Sequence, residues 1–279
     1  MSASDAQQKK EILIKNLRQL DSLLVAFSGG VDSTFLLAVA HDVLKDRVTA
    51  VTASSATYPL KEQKKSIEFA IKYNIKHIIT HSDEVSLPEF SSNTPDRCYH
   101  CKKLLSIELK KIAEELKIQH IALAVNADDL SDYRPGIRAA GEMGLINPLV
   151  DAQLSKEDIR ILSKEMGLPT WDKPAMACLA SRVPYGERIT EEKLKMIEAA
   201  EDFLIVNGFL QCRVRHHGSV ARIEVNCSDI TRITEEKLRK KIIEKFKQIG
   251  FLHIALDLEG YTTGSLNRIL LQAGNKHTV

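Results

Sequence analysis

The sequence predicts an α/β fold over residues 1–188, a parallel β-sheet covered by helices, joined to a small α+β domain over residues 189–279. Three observations predict it. Short apolar runs alternate with amphipathic stretches from Leu23 to about Val150. A glycine-bearing hexapeptide, Ser28-Gly-Gly-Val-Asp-Ser33, joins the first run to the first amphipathic stretch. After Thr190 the order changes to helix, two alternating strands, helix and strand.

The runs at 23–27, 48–52, 77–80 and 120–124 read as buried parallel strands, because they are short and apolar where a half-exposed strand would alternate. Helical patterns lie between them at 32–45, 59–73 and 101–116, and a further helix follows the Asn147-Pro148 break at 156–166. Residues 167–188 are rich in Pro, Gly and small side chains and lack periodicity. A loop of that length inside a domain is functional or disordered, and Cys178 within it favours function. Beyond it, a helix at 191–206 precedes strands at 210–216 and 220–225, joined across His217-Gly218-Ser219, then a helix at 235–249 and a strand at 252–258. The string Ile-Thr-Glu-Glu-Lys-Leu occurs at 189–194 and again at 233–238. Both copies read as helix starts with Thr190 and Thr234 as caps, a shared capping chemistry rather than an ancestral duplication. Residues 272–279 read as a frayed tail.

With 44% hydrophobic and 27% charged residues the chain has enough apolar material for a core and the polarity of a soluble protein. A net charge of +2 gives no reason to expect nucleic-acid binding. No stretch approaches the roughly 20 apolar residues that span a bilayer, and Met1 to Lys10 lacks the apolar core of a signal peptide. A cytoplasmic location is therefore expected, where five cysteines read as thiols, ligands or catalysts rather than disulfides.

Within the hexapeptide, Gly29 and Gly30 remove side-chain bulk so that backbone N–H groups can approach phosphate oxygens, and the helix opening at Val31 adds its dipole. Ser28 and Ser33 add hydroxyls, while Asp32 caps the helix or helps hold a metal ion. The plain alternative is a tight turn that needs glycine. The absence of a Walker lysine argues against γ-phosphoryl transfer. The second strand ends at Thr52 to Ser55, so Ser54 lies where an adenosine sits on the carboxyl edge of such a sheet. Asn126-Ala-Asp-Asp129 follows the fourth strand on that edge; Asn126, Asp128 and Asp129 there bind Mg2+ or ribose hydroxyls, or simply cap the next helix.

Cys98-Tyr-His-Cys101 is ambiguous by itself: a redox pair, half a zinc site, or part of an iron–sulfur site. No second CxxC completes a four-cysteine zinc site. With Cys178 the pair supplies three thiolates, which suit a [4Fe–4S] cluster with one iron open to a small ligand. A Cys98–Cys101 disulfide that resolves a persulfide on Cys178 remains open. Cys212 and Cys227 read as inert structural thiols.

The hexapeptide resembles the SGGxDS signature of the PP-loop ATP pyrophosphatases, which include GMP and NAD synthetases, asparagine synthetase and tRNA-thiolating enzymes. That resemblance implies a five-stranded, parallel, Rossmann-like sheet related to the adenine nucleotide α-hydrolases. It also implies cleavage of ATP between its α and β phosphates, with AMP passed to a substrate oxygen. The loop together with Asn126-Ala-Asp-Asp-Leu-Ser-Asp-Tyr-Arg-Pro-Gly136, Pro174-Ala-Met-Ala-Cys-Leu-Ala-Ser-Arg182 and Arg213-Val-Arg215 resembles the LarE family of sulfur transferases over nearly the whole chain. The implied reaction adenylates a carboxylate of pyridinium-3,5-biscarboxylic acid mononucleotide and replaces an oxygen by sulfur, in biosynthesis of a nickel-pincer nucleotide cofactor. One branch sacrifices the sulfur of a single cysteine, matching Cys178, which becomes dehydroalanine. This sequence departs from it by adding Cys98 and Cys101, and so resembles the branch in which three thiolates hold a [4Fe–4S] cluster that carries a hydrosulfide from a sulfide donor. Hexameric assembly is implied as well.

Arg213 and Arg215 share one face of the strand at 210–216, opposite Leu210, Cys212 and Val214. Two such guanidinium groups can hold a phosphate, and by resemblance they form the family's site for the nucleotide phosphate. The alternative is a solvated strand face with ion pairs to Glu224. Arg182 and Arg188, and also Arg134 and Arg138, are further candidates, as are the acids Glu201 and Asp229. Three other functions use the same loop or the same ligand: amide synthesis by ammonia attack on an adenylate, tRNA thiolation, and non-enzymatic nucleotide sensing. The first leaves the cysteines idle, and the net charge of +2 and the lack of an evident RNA-binding domain speak against the second.

Overall fold

The structure is a computed structural model and describes residues 3–131, 135–174, 177–262 and 264–268. The chain divides into two compact units, Met1–Ser86 with Asp96–Met176, and Leu87–Pro95 with Ala177–Val279. The sequence puts the boundary at 188/189; the division between units falls instead within the loop at 167–188.

In the first unit, strands β1 (Leu23–Ala26), β2 (Val48–Ser54), β3 (Lys76–His81) and β4 (His120–Ala122) form a parallel sheet in the order β3-β2-β1-β4. Leu23 and Val25 point into one apolar cluster with Phe35, Leu36 and Leu162, and Leu24 points into another with Val51, Leu109 and Ile121. This is the two-period of a strand buried on both faces. Each fully buried leucine there contributes roughly 1.5–3 kcal/mol. Helix α2 (Val31–Leu44) is buried around most of its circumference, including Val31, Phe35, Leu37 and Val39, so it is held in place at the end that carries the hexapeptide.

Helix α1 (Ala3–Leu17) has no counterpart in the sequence reading. Its fully buried apolar residues are Ala6, Leu13 and Leu17, with half-buried Ile14 packed against the same core, set among polar residues. Lys9 on the same helix reaches the buried carboxylate of Asp158 at 2.8 Å. Helix α3 (Leu60–Lys72) follows β2, and α4 (Arg97–Glu115) follows β3. Because α4 starts at Arg97, Cys98 and Cys101 lie in its opening turns rather than before it. The apolar pattern begins late because Arg97, itself buried, replaces a hydrophobe at the helix start.

The five strands implied by resemblance are four, plus one parallel bridge from Ala122 to Ile146 at the β4 edge. Pro148 lies two residues beyond Ile146, and its missing N–H stops the ladder. Helices α5 (Pro135–Glu142) and α6 (Lys156–Glu165) complete this unit, α6 opening with a Ser155–Asp158 capping box.

In the second unit, α7 (Glu191–Val206) and α8 (Glu236–Ile249) accompany strands β5 (Cys212–His217), β6 (Val220–Val225) and β7 (His253–Leu256), in the order β5-β6-β7. β5 and β6 are an antiparallel hairpin whose turn uses Gly218 at φ 60°. Phe209, Val214, Ile223, Phe246 and Phe251 make its core. The segment 87–95 belongs here because Asn93, fully buried, donates to the carbonyls of Val183, Pro184 and Glu187. Thr190 caps α7 by accepting from the Lys193 N–H at 3.3 Å. Thr234 does not cap: it ends a short helical turn, and its hydroxyl donates back to the Ile230 and Thr231 carbonyls. The two Ile-Thr-Glu-Glu strings therefore share residues but not a capping role. Among the described residues, no helix is long and apolar enough to cross a membrane.

Candidate active site

The hexapeptide links β1 to α2, as its pattern predicts. Gly29 adopts φ 59°, and it is this left-handed conformation that calls for glycine, since a Cβ there would meet the Ser66 Cβ at an ordinary contact distance of 3.4 Å. Gly30 is the N-cap of α2, with Thr34 N–H bonding its carbonyl at 3.0 Å. Ser28 and Ser33 hydroxyls share a hydrogen bond at 3.0 Å, closing the loop on itself. Two side chains grip the loop from outside. Tyr58 donates to the Ser28 carbonyl at 2.7 Å, and Lys173 donates to the Gly29 carbonyl at 2.8 Å. Lys173 is also ion-paired with Glu62, both side chains being largely buried. Burial works against ionisation of Glu62, yet Lys173 and Lys65 hold its carboxyl below the usual range. Burial, with Glu62 nearby, pushes the Tyr58 phenol upward, so it remains a donor at neutral pH.

Asp32, in the first turn of α2, is ion-paired with Lys156, and its Oδ1 is buried with no hydrogen-bond partner. The backbone N–H of Lys156 bonds the Asp128 carboxylate at 2.8 Å. Asn126 Oδ1 accepts from the N–H groups of Asp128 and Asp129, and the Asp129 carboxylate accepts in turn from the Asn126 N–H at 3.1 Å. This is a reciprocal cap, so Asn126 and Asp129 shape the turn, whereas Asp32 and Asp128 are brought together around Lys156. Among the described residues, no group of three His, Cys, Asp or Glu is placed to hold a metal ion. Mg2+ fits this arrangement only in its usual manner, on one or two carboxylates with substrate phosphates completing the sphere.

At the end of β2, Thr52 donates to the Phe27 carbonyl at 2.6 Å and shares a hydrogen bond with His77, whose pKa is lowered by burial. Ser54 donates to Gln63 at 3.1 Å. The buried carboxylate of Glu84 accepts from Thr57 at 2.5 Å and Ser82 at 2.8 Å, tying down the chain that follows β2.

Cys98 and Cys101 stand one helical turn apart at the start of α4, exposed and half-buried respectively. Spacing of three residues puts both on one helix face. The pair thus fits two ligands of a cluster; within its own unit, no third thiol joins it among the described residues. Cys178 is exposed and heads the 3₁₀ turn Leu179–Arg182 in the second unit. Cys212 is buried, which pushes its thiol up to about 12 and makes it inert, while Cys227 is exposed, its sulfur 3.4 Å from the Glu259 carbonyl.

The arginines separate into two kinds. Arg182 is fully buried and bidentate to Glu201, with both contacts at 2.9 Å. Its remaining nitrogen donates to the carbonyls of Ala177 (2.7 Å) and Cys178 (3.1 Å). Glu201 also accepts the Val214 N–H at 2.9 Å, so this pair ties the thiol loop to the β5 backbone. Arg215 is bidentate to Glu224 at 2.7 and 2.8 Å and reaches the Ser181 carbonyl at 2.8 Å. The Glu224 pairing is the alternative foreseen for this face, but buried rather than solvated, and diagonal, since Glu224 lies opposite Arg213 in register. Arg213 lies over the Tyr261 ring and bonds the Cys212 carbonyl at 2.6 Å. Burial, and then the charge of Arg182, lower its pKa, an environment that favours a compensating anion. Arg138 lies on the surface with Glu142 and Tyr99, Asp229 pairs with Arg232, and Arg134 lies outside the described residues. Tyr58, Glu62, Lys156 and Glu84 escaped the sequence reading, in which Lys173 figures only as one residue of the loop at 167–188. Their partners lie far away in the chain, and none falls in a recognisable motif.

No family model matches the chain. An uncharacterized protein of Synechocystis sp. is 42% identical over 264 residues, covering 93% of this chain and 98% of its own length. The pyridinium-3,5-bisthiocarboxylic acid mononucleotide synthase of Lactiplantibacillus plantarum is 35% identical over 266 residues, covering 95% and 96%. A component of the glutamine-hydrolyzing GMP synthase of Methanocaldococcus jannaschii is 27% identical over 191 residues, covering 63% and 61%.

Proposed function

This chain belongs to the LarE family, that of the pyridinium-3,5-bisthiocarboxylic acid mononucleotide synthase, and from that premise we propose that it is an ATP-dependent sulfur transferase. Its acceptor is pyridinium-3,5-biscarboxylic acid mononucleotide. The observation that carries the reading is the near-full-length similarity to that synthase; the glycine-bearing turn between β1 and α2 supports it. The more distant likeness to a GMP synthase component covers the ATP-using half of the same reading.

In the proposed reaction the β and γ phosphates of ATP rest on the N–H groups of Gly29 and Gly30, with the hydroxyls of Ser28 and Ser33 as added donors and the α2 dipole behind them. Asp32 and Asp128 carry the Mg2+ that accompanies the nucleotide, and Ser54 and Asn126 border the adenosine. A substrate carboxylate oxygen attacks the α-phosphorus; the bond to the bridging oxygen breaks, and pyrophosphate leaves. A sulfur nucleophile then attacks the acyl carbon, and AMP departs with the electron pair of the broken C–O bond. Arg213 takes the substrate phosphate. Arg215 and Arg182 act as positioning residues behind it, because their donors are engaged with Glu224 and Glu201.

Cys98, Cys101 and Cys178 supply the sulfur chemistry. As ligands of a [4Fe–4S] cluster they would give the site a replaceable sulfide, fed by a donor outside the chain; alone, Cys178 is the nucleophile and source. A cytoplasmic homo-oligomer, a hexamer by resemblance, belongs to the same reading. The test is turnover with ATP and the biscarboxylic acid mononucleotide, following AMP, pyrophosphate and the acceptor mass. AMP release without sulfur in the acceptor refutes the reading. A loss of about 34 Da at Cys178 identifies the sacrificial route, and an unchanged chain with iron bound identifies the cluster.

A further inference from the structure

Lys173 lies 144 positions along the chain from Gly29, yet its ammonium hydrogen-bonds the Gly29 carbonyl at 2.8 Å. The Tyr58 hydroxyl holds the preceding carbonyl, that of Ser28, at 2.7 Å. A trans peptide is planar with its carbonyl and N–H on opposite edges. Fixing the carbonyls of Ser28 and Gly29 therefore fixes the N–H directions of Gly29 and Gly30. A donor that carries charge also polarises the peptide it holds, which strengthens the N–H on its far edge. Glu62 keeps Lys173 in register: the ion pair is largely buried, and Lys65 supports the carboxylate from the other side at 3.1 Å.

We propose that Lys173, held by Glu62, is a positioning residue of the phosphate loop, which with Tyr58 turns the Gly29 and Gly30 N–H groups toward the pyrophosphate of ATP. The inference rests on the ATP-using reading above and adds to it the residues that set the donor geometry. It also gives an ATP-side task to a residue only five positions from Cys178.

The experiment measures MgATP and magnesium pyrophosphate binding by calorimetry on the full chain, alongside thermal melting. Lys173→Met leaves Glu62 buried and without its closest counter-charge, and so lowers the melting temperature as well as affinity. The decisive variant is Lys173→Met/Glu62→Gln, which removes both charges. It regains most of the melting temperature while binding of both ligands stays weakened by roughly 10- to 100-fold, the range for a lost charge-assisted hydrogen bond. Tyr58→Phe weakens binding by roughly 2- to 10-fold, as for a neutral bond. If the double variant recovers wild-type affinity along with its stability, the ion pair is only structural and the inference fails. If wild-type protein binds no MgATP, the functional reading fails first and takes this role with it.

Discussion

Replacing Glu201 by Gln tests what holds the thiol loop. The substitution keeps the shape of the side chain and an oxygen for the Val214 N–H, but removes the charge opposite Arg182. That guanidinium has no solvent exposure, and two of its nitrogens bond the carboxylate at 2.9 Å. A buried charge stripped of its partner costs about 3–5 kcal/mol. Taking about 3 kcal/mol and the roughly 2–4 °C per kcal/mol of a chain near this size, the melting temperature falls by about 6–12 °C. Scanning calorimetry measures it directly. Arg182→Met/Glu201→Gln removes both charges and recovers most of the loss, because Gln still accepts from Val214. Sulfur transfer should suffer more than adenylation in the single variant, since Arg182 also binds the Ala177 and Cys178 carbonyls. A melting temperature within about 1 °C of wild type would refute the reasoning, for it would mean that the buried arginine needs no counter-charge.

Gly29→Ala strains a left-handed backbone at φ 59° by about 1–2 kcal/mol; MgATP affinity and denaturation midpoint both fall, and an unchanged affinity would remove the loop from ATP binding. Cys178→Ala should leave ATP–pyrophosphate exchange intact in the presence of acceptor while abolishing sulfur incorporation; loss of exchange would place Cys178 in the first half-reaction instead. Burial lowers the pKa of His216, aided by Lys193, and that of His217, aided by Arg222. The unfolded chain then binds protons that the folded chain does not, so stability rises with pH through this window and is lost as pH falls below about 6.5. Urea midpoints at neutral and mildly acidic pH measure it, and His216→Phe should flatten the dependence.

The parallel sheet was legible because Leu23–Ala26 and Val48–Ser54 are apolar enough to be strands buried on both faces. The turn at 28–33 that joins β1 to α2 was legible because its pattern is local: six adjacent residues, two of them glycine. Helix α1 was not, since its few apolar residues stand among polar ones and its charged Lys9 is satisfied by Asp158, 149 positions away. The same distance problem hid Lys173 and Glu62. Thr234 misled for a different reason: an N-cap depends on where the helix before it ends, and a turn at Ile230–Thr234 consumed its hydroxyl. Arg182 and Arg215 read as candidate phosphate ligands; the Glu224 pairing of Arg215 was the stated alternative, whereas Glu201, on another element, was not connected to Arg182.

Arg182 donates to main-chain oxygens at 177 and 178, an anchor made of hydrogen bonds that the side chain at 178 does not supply. Reactivity and loop architecture are thus written by different residues. A lineage could exchange the side chain at 178 while keeping the hydrogen bonds that place its backbone.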